Sequence, residues 1–425
     1  MLKTILWPAI RLMGQLSYAA KFGLISFLFM VPLVFLSGQV FYASYQNLKE
    51  TEKELIAVEN IKQVMEVVYA IEDYRNHASP VIFQTDANLT KLVMEYRETI
   101  DNKFSQVIEK VTHDELVDQL TEFKKINFTK LSIDGDARTP TLTDQFNFYQ
   151  TIIDKLYLII NKYAQSTGVA LDSDPDIQQL MIIALAKSPA VRNAAGLGQA
   201  AGIYAMIEKY LQSLTYDLMN DVYEEMASIE TSINLIAASF EELNLAVLAE
   251  QATKSGKGFV EIQTKLDDEV IAAVDVVMPW VDFDRFSQSK IIALTDLDKV
   301  IFPQIAKKLQ FRLDDQRSHM LMTASVLLTV MVIIIYLYSA FFLSVQYSIA
   351  RFFSAAQKIA QGDLTQVITF SGKDEMGQLR DAFNEMTSEV RGILSVVKDT
   401  AENVGEKVSA VETIANSSRQ AVTTQ

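Results

Sequence analysis

Cysteine is absent from the 425 residues, which excludes disulfide scaffolds, zinc–cysteine sites, iron–sulfur clusters and thiol catalysis. The three histidines, His77, His113 and His319, lie too far apart to promise a histidine-based metal or catalytic centre. No cofactor and no enzymatic activity are expected. Turn formers are scarce: 15 glycines and 8 prolines make less than half of the usual share of about 12%, so the chain should be mostly long helices. Convincing period-two alternation is also missing, which argues against sheet-based sensing folds. Basic excess is missing too, because the formal net charge is −15; nucleic acid, which needs clustered Lys and Arg, is not an expected partner.

What is there is apolar sequence. Mean hydropathy is +0.13 although 21% of residues are charged, so the apolar content must be concentrated. Residues 22–43 and 320–350 carry no charge, and each run exceeds the ~18 residues that cross a bilayer as a helix. Pro32 within the first is tolerable in a membrane helix. That run is too long for the apolar region of a cleaved signal peptide, and no small-residue cleavage site follows it. Lys3, Arg11 and Lys21 precede the first run with no acid among them, and Arg351 and Lys358 follow the second. Positive flanks stay inside. The expected organisation is a cytoplasmic segment 1–21, spans at 22–43 and 320–343, and an extracytoplasmic segment 44–319. Absence of cysteine fits periplasmic exposure.

Within 44–319 apolar residues recur at helical spacing, as in Leu55, Val58, Ile61, Met65, Val68 and Ile71. Thr112-His113-Asp114-Glu115 reads as a capping box, Asp174-Pro175 and Ser188-Pro189 as caps before a first-turn proline, and Ser255-Gly256-Lys257-Gly258 as a turn. Helices are expected near 44–84, 86–110, 113–131, 142–166, 175–187, 189–251, 259–277 and 286–318, with a loop at 132–141 whose Asp134-Gly135-Asp136 is a turn, not a calcium site. Arg75-Asn76-x-Ala78 and Arg192-Asn193-x-Ala195 repeat one pattern, which would suit two stacked four-helix modules. Gly196, Gly198 and Gly202 interrupt a helix at a cost of ~1 kcal/mol each relative to Ala. They make room either for neighbouring helices or for a small ligand. Arg75, Asn76, Arg192 and Asn193 are the candidate ligand-binding residues, because guanidinium forks grip carboxylate- or nitrate-like anions. The ordinary alternative for either arginine is an ion pair inside the bundle. His77 and His113 are expected at the surface or at helix starts.

The segment after the second span is the most specific. Ile349-Ala350-Arg351, then Ile359-Ala360-x-Gly362-Asp363-Leu364, then Asp374-Glu375-x-Gly377-x-Leu379 followed by Ala382-Phe383-Asn384-x-Met386 outline two amphipathic helices joined by a connector. Neither can bury its apolar face alone. This stretch, 344–397, resembles the HAMP domain, the linker module of bacterial chemoreceptors and sensor kinases. Phe352 stands where that family usually has proline. The resemblance implies a parallel four-helix bundle in a homodimer, with Arg351, Gly362, Asp363, Leu364, Asp374, Glu375, Gly377 and Leu379 in signal transmission. Beyond it Val390, Leu394, Val397, Ala401, Val404, Val408, Val411 and Ala415 form a heptad seam, the mark of a coiled coil. Residues 398–425 look like the start of the signalling rod of a methyl-accepting chemotaxis protein.

The expectation is therefore an all-α, homodimeric chemoreceptor in a bacterial inner membrane, with both termini cytoplasmic, sensing a small ligand outside, an anion or an amino acid being the candidates. The resemblance implies contact with a chemotaxis coupling protein and a histidine kinase through a hairpin tip beyond residue 425. The rivals are the input half of a sensor kinase or diguanylate cyclase, or a truncated receptor acting only as a heterodimer partner.

Overall fold

The computed structural model describes residues 2–16, 18–83, 85–133, 139–209, 213–370 and 375–423. Among them there are helices and no strand. The helices are α1 (Leu2–Gln15), α2 (Tyr18–Val81), α3 (Ala87–Lys110), α4 (Asp114–Asn127), α5 (Leu142–Thr167), α6 (Pro175–Ile182), α7 (Ser188–Glu208), α8 (Ser213–Glu242), α9 (Ala246–Leu266), α10 (Trp280–Ala360) and α11 (Glu375–Thr423). Asp134, Gly135, Asp136 and the candidate transmission residue Asp374 lie outside the described residues.

Contacts divide the chain into two units, Tyr42–Leu321, and Met1–Phe41 together with Met322–Gln425. In the first, one buried apolar cluster reaches from Ala57 to Leu309. The Leu55–Ile71 ladder supplies its central row: Val58, Ile61, Met65, Val68 and Ile71 are all essentially inaccessible, as one face of an amphipathic helix must be. In the second unit, α2 and α10 each hold an apolar stretch long enough to cross a membrane, of mean hydropathy 2.1 and 2.6, with none of it buried. Within these stretches Ser26 donates a hydrogen bond to the Tyr338 hydroxyl, the kind of polar link that holds apolar helices together in lipid.

Several local expectations need correction. The helix expected over 189–251 is broken twice and spans α7, α8 and the start of α9: α7 stops at Lys209, which adopts a left-handed φ of 61°, and α8 gives way to α9 at a turn where Asn244 has φ 57°. Ser255–Gly258 is not a turn but lies inside α9. Its glycines are packing contacts: a Cβ on Gly256 would meet Ile233 at 3.0 Å, and one on Gly258 would meet Lys290 at 3.1 Å. The cap of α4 is His113, whose side chain accepts from the Leu116 N–H at 3.3 Å, in place of Thr112. Asp174 caps α6 as expected, accepting from the Asp176 N–H at 2.9 Å. Ser188 does not cap α7. The chain runs through it from a π-turn at Ile183–Lys187, and its hydroxyl turns inward to Asp298.

Candidate functional site

The two echoed motifs meet. Arg192 of α7 donates to Glu72 of α2 at 2.8 Å, and Asn76 of α2 donates to Gln199 of α7 at 3.0 Å. Residue numbers rise together in these pairs, so α2 and α7 run parallel. Gln288 of α10 donates to Asp73 at 3.0 Å, His77 faces Asp284 at 2.9 Å, and Arg192 pairs with Asp298, so α10 runs antiparallel to both. Glycine at 196 makes room for the Arg75 and Asn76 side chains, because a Cβ there would lie 2.5 Å from an Arg75 nitrogen. Three helices thus share a buried polar network. The two copies of the repeated Arg-Asn pattern therefore meet at one joint.

The two arginines are differently committed. Arg192, 1% exposed, is surrounded by Glu72, Asp298 and the Tyr157 hydroxyl, the last at 2.6 Å. Burial pulls its guanidinium down, but the Glu72 charge and hydrogen bond overcome this and hold it above its ordinary value. It is the intrabundle ion pair. Arg75, wholly buried, has only amide acceptors: Gln150, Asn193 at 2.9 Å and Asn76 at 2.9 and 3.0 Å, with Phe146 stacked beneath at 4.1 Å. Among the described residues no carboxylate lies within ion-pair distance of it. Burial pushes it down to about 10; the Glu72 charge offsets only part of this, and the neighbouring Arg192 cation adds to the fall. Its partners Gln150 and Asn193 also line a cleft of about 390 Å³ with Asp154, Tyr157 and Asn161 between α5 and α7.

His77 is not at the surface; it is fully buried. Its Nδ1 donates to the Asp73 carbonyl at 2.7 Å, and a carbonyl can only accept, so that nitrogen carries a proton. Its Nε2 faces the Asp284 carboxylate. Burial works against the charged ring, but the Asp284 hydrogen bond and charge raise it above its ordinary value. No apolar periodicity could have flagged this residue, because its signal is a partner 207 positions away. Among the described residues no group of His, Asp and Glu is arranged to hold a metal ion.

The module after α10 is built from backbone outward. Gly362, at φ 96°, ends α10 with its N–H on the Ile359 carbonyl at 2.9 Å, a left-handed stop that glycine adopts without penalty. Asp363 then accepts from the Thr365 N–H at 3.0 Å and from Gln366 at 2.6 Å. The connector is clipped to α11 by Asn384, which exchanges both amide hydrogen bonds with the Ile368 backbone at 2.9 and 3.0 Å. Phe352, at the position of the missing proline, packs edge-on against Phe370 of the connector and Phe383 of α11, each at 5.8 Å. Glu375 opens α11, Gly377 is buried and Leu364 half-buried, and Arg351 lies on the Tyr347 ring. Leu379 is 52% exposed, and Met386, Val390, Leu394, Val397, Val404, Val408 and Val411 are likewise bare.

Residues 348–392 match the family model of the HAMP domain. The second unit carries a HAMP domain. Methyl-accepting chemotaxis protein McpA of Bacillus subtilis is 38% identical over 50 residues, 12% of this chain and 8% of that protein. Methyl-accepting chemotaxis protein TlpB of the same organism is 34% identical over 91 residues, 20% of this chain and 13% of that protein. The chain thus covers about a tenth of the length of these relatives and is similar to chemoreceptors of this type over that stretch. No solved structure matches the chain. Arg351, Phe352, Gly362, Asp363, Leu364, Glu375, Gly377 and Leu379 all lie within the matched range.

Proposed function

We propose that the chain is the sensing and relay part of a homodimeric bacterial chemoreceptor of the inner membrane, with residues 44–319 in the periplasm, both termini cytoplasmic, and control of chemotaxis as its output. The observation that carries this is one helix: α10 holds Asp284, Gln288 and Asp298 of the buried network at one end and enters the HAMP domain at the other. A ligand acts by favouring one of two arrangements of these helices, and shifts on the order of 1–2 Å at helix interfaces suffice. The names of the two relatives favour chemotaxis over a sensor kinase or cyclase.

Of the four candidate ligand residues, Arg75 is the anion-seeking group, reached through Gln150 and Asn193 from the α5–α7 cleft; Asn76 fixes its angle, and Arg192 serves the framework. Titration of the full chain in detergent with nitrate, small organic acids and amino acids tests this. One compound should raise the unfolding temperature of the native chain and leave that of Arg75→Gln unmoved. A panel without effect on the native chain would remove the ligand reading.

A further inference from the structure

Helix α1 has no assigned role. It ends at Gln15, the chain bends at Leu16, and α2 begins at Tyr18. Leu6, Ile10 and Met13 fall at helical spacing on one face; Leu6 is 46% and Ile10 57% exposed. Roughly a third of a turn away, Arg11 lies over the ring of Trp7 at 5.3 Å, and Trp7 is itself 57% exposed. The charge is one-sided: Lys3, Arg11 and Lys21 are met by no acid before Glu50. Two residues after the bend the chain enters the helix holding the apolar stretch that can cross a membrane.

From this juxtaposition we infer that α1 lies in the bilayer interface as a basic amphipathic helix, its Leu6–Ile10–Met13 face among the acyl chains and its Trp7–Arg11 edge among anionic phospholipid headgroups. Four features select that occupant. The apolar face is continuous along the chain with a membrane-crossing segment, so it starts within reach of the lipid. A helix with a bare apolar stripe and cations beside it partitions into an interface. The unopposed positive charge complements the negative surface of the cytoplasmic leaflet, and a tryptophan at the boundary suits a ring with one apolar and one polar edge. The helix would make the first span sensitive to the lipid on its inner side.

The chain has 2 tryptophans, so Trp7 fluorescence is isolated by the difference between the native chain and Trp7→Phe, or directly in Trp280→Phe where that variant folds. The full chain is reconstituted into phosphatidylcholine vesicles with and without about 30% phosphatidylglycerol, which supplies the negative surface potential that basic residues sense. Trp7 should be quenched by lipids brominated near the headgroup end of the acyl chain and shielded from iodide. Quenching should rise about twofold with phosphatidylglycerol, and Lys3→Gln with Arg11→Gln should erase that rise. Iodide quenching without bromolipid quenching would mean the helix stands in water and overturns the inference. Shielding from both would mean a protein surface covers it, a second copy included, and also overturns it. Equal bromolipid quenching in both vesicle types removes the anionic headgroup as the partner.

Discussion

Arg192 brings two carboxylates into a place from which water is excluded, and that makes it a liability to touch. Removing one member of a buried ion pair leaves an uncompensated charge, typically at 3–5 kcal/mol. Arg192→Ala should therefore lower the unfolding free energy by about that amount, by denaturant titration of the full chain, and Asp298→Ala should approach it because Asp298 is equally buried. A loss below about 1 kcal/mol, the range of an exposed pair, would refute the buried-pair description. His77 adds a pH dependence with a defined sign. Its folded value lies above its ordinary one near 6.5, so its stabilising contribution is whole below about 6.5 and fades as pH rises through the folded value. The groups facing it are Asp284 on α10, Asp73 on its own helix, Gln199 through Asp284, and the Tyr96 ring of α3 at 4.9 Å. Asp73 is also raised, by burial above all, and acts in the same direction. The unfolding temperature should fall from pH 6 to pH 8.5, and His77→Gln should flatten that slope; an unchanged slope would assign it to Asp73 and others.

At the scale of the helices, amphipathic periodicity was enough to locate α3, α5 and α6 and the row on α2, because burial of a face leaves a repeat in the sequence. Breaks without a composition signal were not legible: α7 ends at a lysine and α8 at Asn244, both with positive φ and no glycine. Glycine misled in the other direction at 256 and 258, where it admits a neighbouring helix and leaves α9 intact. The candidate site was half legible. Arg-Asn in both echoes was visible, but only the fold reveals that one arginine is paired twice and the other by amides alone. Gly202 offers a test of the packing reading. A Cβ there would fall inside the van der Waals envelope of the Phe283 ring and 2.9 Å from Leu266. Gly202→Ala gains about 1 kcal/mol of helix propensity, yet overpacking of a rigid core costs ~1–3 kcal/mol, so a net loss of stability is expected in thermal melts. A net gain would mean Phe283 moves freely.

For the molecule as a whole, the bare seam from Leu379 to Val411 is too long and too apolar to face water, and a second copy is the proposed cover. Because the chain has no cysteine, single substitutions report without background. Val397→Cys and Val404→Cys should each form symmetric disulfide dimers rapidly in oxidised membranes, whereas Asp399→Cys, at the heptad position opposite the seam, should lag. Equal rates would deny a fixed parallel seam. The ligand that saturates Arg75 should change the Val397→Cys rate if the sensing and relay units are coupled.

Pro303 sits within α10, between Asp298 in the buried network and Arg312, whose guanidinium clasps Asp172 with two bonds of 2.7 Å and also pairs with Glu54. Proline takes away the hydrogen bond to the carbonyl four residues earlier, so the helix is softest at a point held on either side by charged clamps. A rod pinned twice and weakened between the pins would bend there, and a bend at that point is one way to produce a shift of about 1–2 Å at the helix interfaces. In the proposed receptor the message leaving the Tyr42–Leu321 unit would then be a change of angle, and Pro303→Ala, by stiffening the joint, should leave ligand affinity nearly intact while silencing the ligand's effect on crosslinking of the seam.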